Sequence, residues 1–167
     1  MIILLYMNYK LIVAHCKNNG IGINNELAWN IKRDLKKFSK LTKGAGNNAV
    51  IMGKNTWLSI PNTPLKMRDN LILSNSLTID KNGETEIVKT FTDIKSLKEF
   101  CENKQYDTVW VIGGHSIYKE FLSDPSLSEL HVTYIDHDYD CDTFFPEYKN
   151  DWNREILTSE CDYLDSN

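Results

Sequence analysis

In LAWNIKRDLKKF (residues 27–38), a carboxylate falls on the apolar side of its own helix. Wound from Ile31 to Thr42, the segment gathers Ile31, Leu35, Phe38, Leu41 and Thr42 on one side. Lys32, Arg33, Lys36, Lys37 and Lys40 take most of the rest. Asp34 groups with the apolar residues, because Phe38 and Leu41 follow it by four and seven positions. A second residue suited to recognition is Arg68, in PLKMRDN. Its guanidinium fork can grip a carboxylate bidentately if a substrate brings one; otherwise it is an ordinary surface arginine.

Three glycine-bearing segments bear on phosphate chemistry, two of them as helix starts suited to it. GKNTW (53–57) is not a P-loop. Asn48 stands where the upstream glycine is needed, and Asn55 separates Lys54 from Thr56. Gly53, Lys54 and Thr56 still open a helix, where free N–H groups favour an anion; a plain turn and cap fits equally well. In IGGHSIY, Gly113 and Gly114 either let a phosphate reach the backbone ahead of a helix or simply make a tight turn. KNNGIGINNELAW lacks the dinucleotide fingerprint, since Asn25 replaces its third glycine. The length of this stretch, from Lys17 to about Asn30, favours a functional loop or lid. Two phosphate-suited helix starts and a long loop together favour a dinucleotide.

The elements that must position these residues follow from apolar runs. Residues 10–16, 49–53, 70–74, 86–91, 108–113 and 129–135 read as strands, and near-continuous Val/Ile/Leu fits burial on both faces of a parallel sheet. Helical patterns cover 31–42, 55–60, 94–102 and 116–122, with Thr92 as the cap of the third. The alternation predicts an α/β fold, doubly wound, with a mostly parallel central sheet and about four flanking helices. Ligands in such sheets bind beyond the carboxyl ends of the strands, which points to the segments after residues 16, 53, 74 and 113.

A chain of 167 residues suits a single domain, 1–167, with residues 1–9 as an N-terminal extension and Met7 as a candidate start. The formal charge of -4 is spread in mixed sign, which argues against a nucleic-acid partner. Cys16, Cys101, Cys141 and Cys161 have no zinc-site spacing, so no metal is expected, and their scatter suits free thiols in a reducing compartment. The opening MIILLYM is too short to span a bilayer and lacks signal-peptide features, so a cytoplasmic protein without a membrane partner is expected.

Taken together, IVA (12–14), NGIGINNELAWN (19–30), Asp34 with Leu35 and Phe38, VIMGKNTWLSIP (50–61), PLKMR (64–68), NLILS (70–74), VWVIGGHSIYKEF (109–121) and DTFFPE (142–147) resemble the dihydrofolate reductase family in order and spacing. The resemblance implies an oxidoreductase that reduces 7,8-dihydrofolate to tetrahydrofolate with NADPH, for one-carbon metabolism and nucleotide biosynthesis. It places Asp34 at the bottom of the pterin pocket as the catalytic residue, and burial among Leu35, Phe38 and Ile60 should raise its pKa. Backbone carbonyls of Ile12 and Ile112 would meet pterin amines. Leu27, Leu35, Phe38, Ile60 and Leu65 would wall the substrate. Arg68 would clamp the glutamate α-carboxylate, Thr133 would hydrogen-bond Asp34, and Trp29 would hold an ordered water.

On the cofactor side the resemblance implies Ala14, Ile21, Gly22 and Tyr118 around the nicotinamide. Gly113, Gly114, His115, Ser116 and Ile117 would cradle the pyrophosphate with Gly53, Lys54, Asn55 and Thr56. Leu73, Ser74, Asn75 and Lys89 would lie at the adenosine end. It further implies a cis Gly113–Gly114 peptide and a hydrogen bond from the 19–30 lid to Asp142. A non-catalytic scaffold and a riboflavin-pathway reductase share the fold, but Asp34 and Arg68 suit a pterin-glutamate.

Four departures stand out. Ala28 replaces a usual proline, which predicts a more mobile lid. Met67 replaces a usual glycine before Arg68 and is strained if that position needs φ > 0. Asn75 and Ser116 stand where relatives often have arginine, leaving Lys54 and Lys89 to favour NADPH over NADH. Finally, the last antiparallel strand is apparently missing, as it would be if the domain were cut from a fusion to thymidylate synthase. An uncovered edge would then invite self-association.

Overall fold

The computed structural model describes residues 7–148 together with 152 and 153. Its elements, in chain order, are β1 (Tyr9–His15), β2 (Gly20–Gly22), α1 (Lys32–Lys43), β3 (Asn48–Gly53), α2 (Lys54–Ser59), β4 (Asp69–Leu73), β5 (Asp80–Asn82), β6 (Ile87–Phe91), α3 (Ile94–Lys104), β7 (Thr108–Gly113), α4 (His115–Leu122), β8 (Leu127–Tyr134) and β9 (Thr143–Phe144). Seven strands form one sheet in the order β5-β6-β4-β3-β7-β1-β8, and β2 pairs with β9 separately. Every neighbour in the large sheet is parallel except β5 against β6.

The strand order explains where a cleft opens. The chain steps outward from β1 through β3 and β4 to β6, then returns to insert β7 between β3 and β1. Connections on the two sides of that reversal leave a crevice at the carboxyl ends of β1, β3 and β7. Here the register also slips: Ile51 faces Val111 and Met52 faces Gly113, so Ile112 is an extra, bulged residue.

Period-2 alternation sorts side chains onto two faces. Leu11, Val13, Ala49, Ile51, Leu71, Val109 and Val111 pack under Leu97 and Cys101 of α3 and Ile117, Tyr118 and Phe121 of α4. Val50, Met52, Ile72, Val88 and Trp110 pack on the other face, with Leu41 of α1 and Trp57 of α2. Each fully buried Val, Leu or Ile contributes about 1.5–3 kcal/mol, so both layers are strongly specified. A third, smaller cluster of Cys16, Trp29 and Ile135 sits at the root of the 17–30 segment.

The six apolar runs are all strands, with ends shifted by no more than two residues. Two readings need correction. The cap of α3 is Asp93, not Thr92: its carboxylate accepts from Ser96 N at 2.8 Å, and the ordered Asx turn leaves Thr92 outside. The 17–30 segment is not wholly loop, because β2 lies within it. The apparently missing strand, and with it the question of an uncovered edge, falls outside the described residues. No helix among the described residues is long and apolar enough to cross a membrane.

Candidate active site

Helix α1 begins at Lys32 without a side-chain cap, and its first turn carries Asp34. Asp34 is half-buried. Burial pushes its carboxyl above the usual aspartate value, while a hydrogen bond with Thr133 and the charge of Lys37 pull the other way. Thr133 lies on β8 in register with Ala14 of β1, and Ile12 faces His131 two residues earlier. Asp34 thus hangs over the carboxyl ends of β1 and β8.

Arg68 lies 5 % exposed, so it is not a surface arginine. Its Nε donates to Lys66 O at 3.0 Å and its Nη1 to Thr42 Oγ1 at 2.6 Å. Thr42 is fully buried and in turn donates to Phe38 O at 2.8 Å. No carboxylate pairs with Arg68 among the described residues. A buried cation without a counter-ion is costly, and burial lowers the guanidinium pKa accordingly. Met67, just before it, takes φ 63 and is half exposed, so the strain anticipated from sequence is present.

Thr42 is a contributor that sequence reading left unexplained. Its place in the apolar stripe was legible; its partner 26 residues away was not. Asp34 and Thr42 are eight residues apart on one helix, about 12 Å along the axis. One rigid element therefore sets the spacing between the acid and the arginine's anchor.

Ile12, Ile60, Leu65 and Ile112 are all half-buried against the cluster on the α1–α2 face of the sheet. Phe38 is half-buried too, whereas Leu27 and Leu35 are 52 % and 45 % exposed and stand at the rim. The carbonyls of Ile12 and Ile112 both face the Tyr118 hydroxyl, at 2.9 and 2.8 Å. A phenol has one proton to share between them, so each carbonyl keeps acceptor capacity for a second donor. Trp29 is buried, and its Nε1 has no partner among the described residues, which leaves a donor suited to an ordered water.

The two glycine-led helix starts come together. A Cβ on Gly53 would lie 3.2 Å from Ile117, and one on Gly114 would lie 3.5 Å from Thr56 Oγ1. Gly113 takes φ 120, with the Tyr118 ring 3.1 Å from where a Cβ would sit, and the Gly113–Gly114 peptide is cis. Only glycine fits at position 113. The exposed Asn55 and Ser116 flank these starts.

Lys54 Nζ donates to Ser76 Oγ at 2.9 Å, and Ser74 Oγ accepts from the amides of Ser76 and Leu77. Leu73, Ser74 and Asn75 therefore form one rim with Lys54. Lys89 is not gathered there. It pairs in register with Leu71, two residues before the strand end; its ammonium lies 3.6 Å from Asp80 and over the rings of Phe91 and Phe100. His115 also turns aside, donating through Nδ1 to Phe144 O at 2.8 Å.

The 17–30 segment closes one side, bringing Ile21 and Gly22 to β9. Asn24 N donates to Asp142 Oδ2 at 2.9 Å, and Asp142 N donates back to Gly22 O at 3.0 Å. The amide of Asn24, with help from Thr143, holds the Asp142 carboxyl below its usual value. Asn19, Asn24 and Asn25 all have positive φ, which asparagine tolerates better than most residues.

A doubly wound sheet, a half-buried acid over its carboxyl end, a buried arginine with no carboxylate partner among the described residues and paired glycine helix starts define an α/β protein with a candidate ligand-binding cleft. The sequence model of the family described as dihydrofolate reductase matches residues 8–163. Dihydrofolate reductase of Sus scrofa is 40% identical over 158 residues, covering 90% of this chain and 84% of that protein. That of Drosophila melanogaster is 34% identical over 145 residues, covering 84% and 80%. The bifunctional dihydrofolate reductase-thymidylate synthase 2 of Arabidopsis thaliana is 41% identical over 148 residues, 83% of this chain and 26% of that protein. The chain belongs to the dihydrofolate reductase family.

Proposed function

We propose that this chain reduces 7,8-dihydrofolate to tetrahydrofolate with NADPH, in a cytoplasmic setting that serves one-carbon metabolism. The observation that carries the reading is the pairing of a half-buried Asp34 with a buried Arg68 that lacks any carboxylate partner among the described residues. Each charge needs something a pterin-glutamate supplies: a hydrogen-bonding heterocycle at one end, a carboxylate at the other.

In this reading Asp34 accepts hydrogen bonds from the pterin's exocyclic amine and ring N–H and fixes the ring's orientation, with Thr133 holding the carboxyl in place. The carbonyls of Ile12 and Ile112 take further pterin amine protons, and Trp29 Nε1 holds a water beside the ring. Phe38, Ile60 and Leu65 exclude solvent along the aromatic spacer, with Leu27 and Leu35 at the mouth. Arg68, aimed by Thr42 and the Lys66 carbonyl, meets the terminal carboxylate.

The cradle around Gly53, Thr56, Gly113 and Gly114 fits a pyrophosphate, since any side chain at 113 would meet the Tyr118 ring. Ala14, Ile21 and Tyr118 would flank a nicotinamide, and NADPH when bound supplies the hydride. Lys54 supplies the charge for a 2′-phosphate, with Ser74, Asn75 and Ser76 beside it. The whole of 1–167 acts as one domain, and the relative from Arabidopsis makes a thymidylate synthase a candidate partner.

Purified protein mixed with dihydrofolate and NADPH should consume NADPH only when both are present. NADPH and dihydrofolate that bind without turnover would leave a scaffold. Turnover of a riboflavin-pathway intermediate in place of dihydrofolate would replace the substrate.

A further inference from the structure

Two thiols meet at the root of the lid. Cys16 is the first residue after β1 and is fully buried; Cys141 is half-buried and immediately precedes Asp142. Both pack in the small apolar cluster with Trp29 and Ile135. Gly20 is the shelf on which they converge. Its carbonyl accepts from Cys16 N at 3.0 Å. A Cβ on Gly20 would collide with the Cys141 sulfur and lie 2.9 Å from Asn18 Oδ1, the oxygen that accepts from the Cys16 thiol at 2.7 Å. The Cys16 thiol lies near enough to Cys141 to help keep its thiol protonated. The remaining described cysteine, Cys101, sits in the main core on the other side of the sheet.

We propose that Cys16 and Cys141 are an oxidisable dithiol pair, closed to a disulfide by a low-molecular-weight disulfide, which fastens the root of the 17–30 segment to the stretch that leads through Asp142 into β9. Cys141 is the partner solvent can reach, so its thiolate attacks the reagent first and releases one thiol. The Cys16 thiolate then attacks the Cys141 sulfur and expels the second. Two protein thiols lose two hydrogens, and the reagent leaves as two thiols. Burial and the neighbouring Cys16 push the Cys141 thiol up to about 11, so closure is slow at neutral pH and speeds about tenfold per pH unit below that value.

The bond has a structural consequence. The Asn24 amide is held by Asp142, one residue from Cys141, so a covalent tie at the root steadies that hydrogen bond. Reading this as control of cofactor exchange rests on the proposed function; formation of the bond does not.

The test treats the full chain with glutathione disulfide at mildly alkaline pH, quenches by acid alkylation and maps peptides without reduction. A Cys16–Cys141 linked peptide lighter by two hydrogens is expected in the wild type and in Cys101→Ser and Cys161→Ser. Cys16→Ala should instead retain glutathione on Cys141. Asn24 amide exchange should slow in the closed form. A wild type that retains glutathione on Cys141, or never reacts there, overturns the pair. Unchanged Asn24 exchange in the linked protein overturns the lid tie.

Discussion

At the scale of single residues, two groups hold charge where water is scarce, and each has a measurable consequence. Folding raises Asp34 above its ordinary value of 3.8, so the folded state binds its proton more tightly than the unfolded one. Its contribution to stability is therefore greatest below the ordinary value and is lost as pH rises through the raised one. Asp34→Asn removes that decline. Denaturation midpoints should show the variant more stable than wild type at neutral pH, and the difference should vanish in acid. Thr42→Val keeps the shape but deletes the acceptor of Arg68 Nη1. One hydrogen bond to a charged group is worth about 1.5–3 kcal/mol, so KM for dihydrofolate should rise about tenfold or more, with kcat moved less. Steady-state kinetics on both parameters decide it. Met67→Gly should raise the melting temperature through relief of about 1 kcal/mol of left-handed strain, part of it offset by glycine's freedom in the unfolded chain. The inward place of Asp34 was legible because helical period is a local property, whereas the Met67 conflict was legible only through the resemblance to the family, which puts glycine there. The burial of Arg68 was not, since it depends on Thr42, 26 residues away.

At the scale of elements, long apolar runs defined the six main strands because burial on both faces admits little else. The strands that escaped notice, β2, β5 and β9, are two or three residues long and carry no pattern. Gly20 and Gly22 read as loop for the same reason that they are needed in β2: a Cβ at 20 would strike Cys141, and one at 22 would lie 2.6 Å from Glu26 O. The lid tests this level. Ala28 packs against the Trp29 cluster where proline is usual in the family. Ala28→Pro should narrow the open and unfolded ensembles and slow NADPH dissociation in stopped-flow measurements. Equal off-rates would mean that the ring has no hold on lid motion.

Across the whole molecule, the return of β7 between β3 and β1 converts separate motifs into one cleft. Sequence order predicted a doubly wound sheet but could not reveal which strands become neighbours, because register and insertion are long-range outcomes. Assembly of the cleft also redistributes charge. Lys54 reaches Ser76 at the rim, while Lys89 is engaged by Asp80 and two aromatic rings, so in the proposed reading Lys54 would supply most of the attraction for a 2′-phosphate. kcat/KM should favour NADPH over NADH in the wild type, and Lys54→Met should narrow that ratio while Lys89→Met leaves it nearly unchanged. Comparable values for the two cofactors in the wild type would refute this assignment.

The most direct measurement compares the dihydrofolate-dependent oxidation of NADPH by wild type and Asp34→Asn, with NADPH affinity and folding checked in both. A positioned acid contributes about 100- to 10,000-fold, so kcat should fall by that factor while the variant stays folded and binds NADPH as before. A folded Asp34→Asn that turns over at the wild-type rate would contradict the account.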